Sequence, residues 1–356
     1  MMAQAGTAGK HPRRTGREAW VHLGLNRVVG PPHALPYEAE RLETSADPAP
    51  GEVVVDVHAL NVDSASWSQL RNECGDDAER IAEHLLELVR RRGKLHNPVT
   101  GSGGMLIGTV AALGAGRSEP APGTLLCSLV SLTCTPLELT AVTSLDPASP
   151  HVGVRGHAVL SAAAAWAHVP DDLDRDAFLS AMDVVGAPAW ADAVARPGMR
   201  VAVIGAGGKA GLLSVAALRS RLGEEGRVLG LCWPPETVTV AREAGADAVL
   251  AVDCTDPVAT MTAVRSAFGG EQADLVLACA NVPGCEGGAI LSCRDDGEVL
   301  FFSMATSFPA AALIAESLSS TCRLTIATGF LPGAPDLVTD MLRRRPELTI
   351  LLAGPQ

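Results

Sequence analysis

The sequence predicts an α/β protein in two parts. The first half is β-rich and forms a partly open barrel; the second is a doubly wound parallel sheet. Three observations predict this. Short apolar or alternating runs, separated by turn residues, fill residues 52–169, as in Glu52–Leu60 after Pro48-Ala49-Pro50-Gly51. From Asp176 onward, strand-like and helix-like runs alternate. Early in that alternation Val201–Ile204 breaks into Gly205-Ala206-Gly207-Gly208-Lys209-Ala210-Gly211, and Leu212, Leu213, Val215 and Leu218 then resume apolar spacing at helical period.

The elements follow in order. Residues 1–18 are small, polar and basic (His11, Arg13, Arg14, Arg17) and read as a disordered lead. Trp20–Val29 is expected as the first strand, and Pro31, Pro32 and Pro36 force an extended loop after it. Glu52–Leu60 is the next strand, and Asn61–Trp67 (NVDSASW) is its polar continuation, of the kind that lines a binding cleft. Residues 74–93 form a helical insert. Its helix, Asp76–Arg92, carries an apolar stripe of Ile81, Leu85, Leu88 and Val89 and is closed by Gly93. His96–Gly104 is polar and glycine-dense, a spacer or a binding loop. Met105–Leu113, Gly123–Leu132, His151–Leu160 and Ala165–Val169 complete a β-rich domain over residues 19–169. A second domain, residues 170–356, opens with a helix over Asp176–Ala195 broken at Gly186 and Pro188. Its strands are Val201–Ile204, Arg227–Leu231, Ala248–Val252, Leu275–Cys279, Glu298–Phe302 and Leu324–Ala327. Helical crossovers between them give the expected order 3-2-1-4-5-6.

Composition narrows the function. Hydrophobic residues are 47% and aromatics 3%, so the cores are built from Ala, Val and Leu. A net charge of −12 argues against nucleic acid or an anionic membrane surface as partner. The nine cysteines form no C-x-x-C pair, which suits a reducing, cytoplasmic compartment. No apolar segment reaches spanning length.

A strand, a glycine turn and a helix form the phosphate-binding unit of dinucleotide folds. The turn lets backbone approach a pyrophosphate, and the helix N-terminus presents free N–H groups to it. The alternative is a glycine-rich turn that only packs a helix on a sheet. Gly205, Gly208 and Gly211 read as the working set, with Gly207 incidental. Lys209 lies near the phosphates or in solvent.

A β-rich half joined to such a sheet resembles the medium-chain dehydrogenase/reductase superfamily, in which a GroES-like domain precedes a Rossmann domain. Gly205-x-x-Gly208-x-x-Gly211 is closer to its zinc-free branch. Three longer segments narrow the likeness: ALNVDSASW (residues 59–67), RGKLHNPVTGSGGMLIG (92–108) and FFSMATSF (301–308). With these the chain resembles the L-erythro-3,5-diaminohexanoate dehydrogenase family. The resemblance implies NAD-dependent oxidative deamination of a 3,5-diamino acid in lysine degradation. Hydride leaves C3 for the nicotinamide, and the imine is hydrolysed to a 5-amino-3-oxo acid and ammonia. It also implies a homo-oligomer. The positions where zinc enzymes of the superfamily hold their metal correspond to Asp63 and Gly104-Met105, so no metal is expected, although Asp63, His96 and Asp183 are conceivable donors.

Hydride can leave only from a carbon bearing a neutral amine, so the site needs a base. Asp63 and Ser64, at the strand end, are the first candidates for amine contact or proton transfer; alternatively Asp63 caps the following turn. His96 is a second base candidate or a loop-structuring hydrogen bonder. Asn97, Thr100 and Ser102 hold the substrate carboxylate or the attacking water, or build the loop. Asp183, a carboxylate in an apolar helix, pairs the distal ammonium or caps a helix break. Lys94, one of only three lysines with Lys10 and Lys209, neutralises a carboxylate or simply sits at a helix C-terminus. For the cofactor, the candidates are Gly205, Gly208, Lys209, Ala210, Gly211, Cys232, Asn281, Val282, Ser303 and Met304, all near carboxyl ends of strands. No acid follows Leu231-Cys232-Trp233-Pro234-Pro235 until Glu236, so NAD rests on the resemblance and NADP stays open. The alternatives are a zinc-free NADPH enoyl or quinone reductase, a related β-amino acid dehydrogenase in biosynthesis, and a silent nucleotide-binding protein.

Overall fold

The computed structural model describes residues 17–353. Residues 1–16 of the expected lead lie outside the described residues. The chain divides into two compact units between Leu179 and Ser180.

In the first unit, the strand expected at Trp20–Val29 is instead helix α1 (Arg17–His22) followed by a 3-10 turn, Leu25–Arg27. Gly24, at φ 77°, turns the chain between them. The curl has an electrostatic anchor. Arg27 is buried and donates to Glu52, to Glu43 and to the carbonyls of Ser45 and Asp47. Only Val28 makes a β contact, an isolated bridge to Leu42.

Strand β1 (Val53–Val62) runs into helix α2 (Ser64–Cys74) and then α3 (Ala78–Arg92). The segment read as a polar continuation of β1 is therefore the start of a helix. Asp63 caps it, and Trp67, Leu70 and Cys74 bury its inner face. Helix α3 stands as the stripe predicts. Asp77 accepts from the N–H groups of Glu79 and Arg80, and Gly93 closes the helix in the left-handed region. Ile81, Leu85, Leu88 and Val89 pack into one core with Val53, Val55 and Val57 of β1. Fully burying Ile81 or Leu85 contributes roughly 2 kcal/mol each.

The remaining strands are β2 (Gly104–Leu113), β3 (Leu125–Ser128), β4 (Leu137–Leu145), β5 (His151–Leu160) and β6 (Trp166–His168). They form one antiparallel sheet, ordered β4-β5-β1-β2-β3-β6. β4 escapes the sequence reading because most of it is half or fully exposed, although Leu139, Val142 and Leu145 pack on the core.

Helices α4 (Arg175–Asp183) and α5 (Gly186–Val194) replace the single broken helix. The break falls at Val184-Val185, and Pro188 sits in the first turn of α5, where its missing N–H costs no helical bond. The second unit continues as β7 (Arg200–Ile204), α6 (Lys209–Leu222), β8 (Arg227–Cys232), α7 (Val238–Glu243), β9 (Ala248–Ala251), α8 (Pro257–Ala267), β10 (Ala273–Ala278), α9 (Glu286–Ser292), β11 (Cys293–Phe301), α10 (Phe308–Ser317), β12 (Arg323–Ile326), α11 (Ala334–Arg344) and α12 (Glu347–Ala353). All six strands are parallel, in the order β12-β11-β10-β7-β8-β9, which is the expected 3-2-1-4-5-6 read from the other edge. The second unit thus has the Rossmann order. Among the described residues no helix is long and apolar enough to cross a membrane. All nine cysteines are free.

Candidate active site

The first unit gathers a polar cluster where β1 ends. Residues Val62 and Gly104 are partners in the β1–β2 ladder, and the pairing extends one step further, with the Asp63 N–H donating to the Gly103 carbonyl at 3.1 Å. This brings the loop before β2 alongside the first turn of α2. The loop is closed by Asn97 N–H to Ser102 C=O and Gly101 N–H to Asn97 C=O, each 2.9 Å. The Asn97 side chain accepts from the N–H of Val99 at 2.8 Å and of Thr100 at 3.3 Å, and donates to Gln69 of α2 at 2.7 Å. Asn97 is therefore a builder of the loop, the alternative left open by the sequence.

Asp63 is half-buried. Its Oδ1 accepts from the Ala65 N–H and from the Ser102 hydroxyl, both at 3.0 Å. Its Oδ2 takes no hydrogen bond from the described residues. Ser102 in turn lies 2.7 Å from Ser66 Oγ and 3.0 Å from Thr100 Oγ1, and Ser66 and Thr100 are 2.7 Å apart. Ser64, by contrast, is exposed and joins none of these contacts. Ser66 was missed in the sequence reading. The available signal was its place in NVDSASW: on a helix beginning at Ser64, it lies on the first turn with the buried Trp67.

Two expected participants are otherwise engaged. Lys94 is 0% exposed and donates to the carbonyls of Pro36 at 2.6 Å and Tyr37 at 2.8 Å. Burial, with the nearby Arg92 charge, lowers its pKa to about 8. Its ammonium is spent on backbone rather than on a substrate carboxylate. His96 is 9% exposed, stacked on Tyr37 with ring centroids 5.0 Å apart, and its Nδ1 has no hydrogen-bond partner. Burial, then Arg92 and Lys94, push its pKa down to about 4. The ordinary value is near 6.5; at about 4 the ring is neutral at physiological pH and a weak base. Asp183 ends α4. A cavity of about 540 Å³ opens beside α2 and α3, lined by Glu40, Glu73, Glu87, Arg91, Arg92 and Asn97 among others, but not by Asp63 or the three hydroxyls.

The second unit holds the glycine turn after β7. Gly205 adopts φ 78°, and its N–H and that of Ala206 both donate to the Leu231 carbonyl. A Cβ on Gly205 would stand 2.7 Å from Ala280 N, so β7 and β10, the neighbours at the reversal of strand order, leave it no room. A Cβ on Gly211 would strike the Gly205 carbonyl oxygen, which sets how closely α6 approaches the turn. Gly207 is not incidental as the sequence suggested: a side chain there would collide with Thr237. Gly208 differs. It is exposed, and its nearest neighbour in the direction of a Cβ is 3.7 Å away.

Gly208 is also the N-cap of α6 and supplies no capping side chain. The first amides of α6, on Ala210 and Gly211 among them, have no carbonyl further back within the helix to donate to. Open space at Gly208 before uncapped amides fits a pyrophosphate. Lys209 Nζ lies 3.5 Å from Ser180 Oγ. Cys232 is buried against Thr237 and Gly207, with its thiol pKa raised by burial; the exposed side chain at that strand end is Trp233, at 60%. Asn281 and Val282 are exposed beyond β10. Beyond β11, Ser303 Oγ accepts from the Ala305 N–H and Met304 is exposed. All four lie past carboxyl ends of strands, where this sheet type binds its ligand. Among the described residues no three His, Cys, Asp or Glu side chains group as metal ligands.

Comparison with known proteins agrees with this architecture. The model of the L-erythro-3,5-diaminohexanoate dehydrogenase N-terminal domain matches residues 26–170. The chain is 37% identical over 324 residues to the L-erythro-3,5-diaminohexanoate dehydrogenase of Acetoanaerobium sticklandii, covering 90% of this chain and 94% of the relative. It is 35% identical to the enzyme of the same name from Fusobacterium nucleatum, with the same coverage. Among solved structures, a mycobacterial protein complexed with NADPH superposes with a TM-score of 0.55 at 16% identity, over 89% of this chain and 91% of that one, which shows a shared fold of GroES-like and Rossmann units. The chain therefore belongs to the L-erythro-3,5-diaminohexanoate dehydrogenase family, and is an oxidoreductase.

Proposed function

We propose that the protein catalyses NAD-dependent oxidative deamination of 3,5-diaminohexanoate, giving 5-amino-3-oxohexanoate, ammonia and NADH, as in lysine degradation. The observation that carries this reading is Asp63. One carboxylate oxygen is anchored by a backbone N–H and a hydroxyl, and the other takes no bond from the described residues. A carboxylate held in this way suits a substrate ammonium. It accepts one proton from the C3 ammonium, leaving the neutral amine that hydride loss requires. Bound nicotinamide supplies the acceptor for that hydride. Water then adds at C3 and the nitrogen departs as ammonia, so the net change is one water consumed and one proton released with the ammonium ion.

The glycine turn and α6 would hold the pyrophosphate through the amides of Lys209, Ala210 and Gly211. NAD is favoured over NADP by the segment after β8: no Lys or Arg occurs from Trp233 to Ala241, so a 2′-phosphate meets no cation on it. The family relatives carry the name of this substrate.

The test is initial-rate spectrophotometry on synthetic 3,5-diaminohexanoate with NAD and, separately, NADP, with ammonia measured in parallel. Equimolar NADH and ammonia are expected. No reduced cofactor with either nucleotide, or reduction of a quinone by NADPH in its place, overturns the reading.

A further inference from the structure

The three hydroxyls beside Asp63 have an unusual proton balance. Ser66, Thr100 and Ser102 form a closed triangle with edges of 2.7, 2.7 and 3.0 Å, and Ser102 adds a contact of 3.0 Å to Asp63 Oδ1. Ser66 is 1% and Ser102 8% exposed. The other hydrogen bonds that the described residues make to these oxygens come from two backbone groups, the Ser102 N–H at 3.3 Å to Thr100 Oγ1 and the Ala65 N–H at 3.0 Å to Asp63 Oδ1. Four oxygen–oxygen contacts must therefore be served by the protons of three hydroxyls and, when it carries one, of the carboxyl group.

With Asp63 ionised, three protons serve four contacts. Ser102 donates to the carboxylate, Ser66 to Ser102 and Thr100 to Ser66; the Thr100–Ser102 edge, the longest of the triangle, is left without a proton. With a proton on Asp63 the count becomes four for four. The acid donates to Ser102, and the three hydroxyls donate in turn around the ring. Hydroxyl rotors make this change without moving a heavy atom, and a half-turn of the carboxyl group about Cβ–Cγ exchanges its two oxygens. An apolar wall would favour only the neutral acid, and the fixed Ala65 N–H on Oδ1 favours the anion; the hydroxyl triangle is the part of the surroundings that serves both forms.

Resting on the deamination reading above, we propose that the Ser66–Thr100–Ser102 triangle lets Asp63 keep the proton it takes from the substrate ammonium and return it to the departing nitrogen. The proton leaves the C3 ammonium for Asp63, stays on the carboxyl group while hydride is lost and while the adding water gives one proton to solvent, and is given to the nitrogen when the C3–N bond of the adduct breaks; the adduct's hydroxyl proton then leaves with the ammonia as ammonium ion. Ser66, Thr100 and Ser102 are positioning residues, since they act through Asp63.

The proton count supplies the test. Ser66→Ala leaves two contacts: two hydroxyl protons fill them when Asp63 is ionised, but the neutral acid brings a third proton for which the cluster itself has no acceptor. Thr100→Val has the same consequence, whereas Thr100→Ser retains the hydroxyl. Rapid mixing of enzyme, NAD and 3,5-diaminohexanoate, followed by steady-state ammonia assay, separates the steps. In Ser66→Ala and Thr100→Val the neutral acid is disfavoured, so first-turnover NADH and ammonia release should both fall about tenfold near neutral pH, and the deficit in first-turnover NADH should shrink as rising pH removes the amine's proton without Asp63. Thr100→Ser should restore release. Unchanged first-turnover NADH in Ser66→Ala overturns the proposal, as does a deficit that does not change with pH or failure of Thr100→Ser to rescue. If Ser66→Ala does not fold, the Thr100 pair decides alone. Wild-type enzyme that makes no NADH from the diamino acid overturns the functional reading and this inference with it. Active wild type matched by active variants overturns only the inference.

Discussion

Ser102 Oγ donates to Asp63 Oδ1 at 3.0 Å although 39 positions separate the two residues in sequence. Helices α2 and α3 fill most of that interval, and the contact exists because β1 and β2 pair in a register that sets Asp63 beside Gly103. The cap of a helix is thereby also the polar centre of the first unit.

That dual role separates stability from turnover at Asp63. Asparagine caps helices as well as aspartate, and can still accept from Ala65 and Ser102. Asp63→Asn should change unfolding free energy by less than about 1 kcal/mol and lower kcat by about 100-fold, the loss of a proton acceptor. Urea denaturation and initial rates measure the two effects. Full turnover in Asp63→Asn would remove Asp63 from the chemistry.

The glycine turn offers a matched pair. Gly211→Ala drives a methyl group into the Gly205 carbonyl and should cost about 2 kcal/mol or more of stability. Gly208→Ala meets nothing closer than 3.7 Å, and Gly208 has an ordinary φ of −83°, so the protein should keep its melting temperature. The added methyl group would occupy the open space before α6 and weaken nucleotide binding about tenfold or more. Differential scanning fluorimetry and NAD titration distinguish the two outcomes.

His96 should make the protein acid-sensitive in a defined window. Its folded pKa is about 4 against an ordinary 6.5, so between those values the unfolded chain binds more protons. Stability is therefore full above pH 6.5 and declines as pH falls toward 4, by at most about 3 kcal/mol from this residue. His96→Phe cannot take up a proton and can still stack on Tyr37. It should flatten that part of the curve in urea denaturation between pH 4.5 and 7; an unchanged slope would show that His96 does not set it.

Lys94 gives the opposite edge of the pH range. Its folded pKa of about 8 lies below the ordinary 10.5, so the unfolded chain holds more protons between those values. This contribution to stability rises with pH from about 8 to 10.5 and is unfavourable below. Removing the amine is nonetheless costly: Lys94→Met leaves the carbonyls of Pro36 and Tyr37 unsatisfied and should destabilise the protein by about 2 kcal/mol at pH 7. Thermal melts from pH 7 to 10.5 would show both the deficit and the lost slope.

The sequence by itself determined the periodic elements and the chemistry of the turn. The α3 stripe, all six parallel strands and their order, and the tight turn at Gly205 follow from local patterns, because a helix or a parallel strand declares its buried face in a few residues. What lies between such elements was decided by tertiary structure. Trp20–Val29 has strand-like composition, yet it curls because Arg27 meets Glu52 and Glu43, partners distant in sequence. β4 was hidden because its outward residues mask the pattern. Gly207 looked free until Thr237 was placed against it. At the candidate site, residue types pointed to Asp63, His96 and Lys94 alike. Burial then separated them: it turned the last two toward the interior, with pKa values near 4 and 8, and left Asp63 half-buried among three hydroxyls. Residue type states which proton a side chain can carry. The desolvation and partners that decide whether it does so come from contacts distant in sequence, which appear only once the chain is folded.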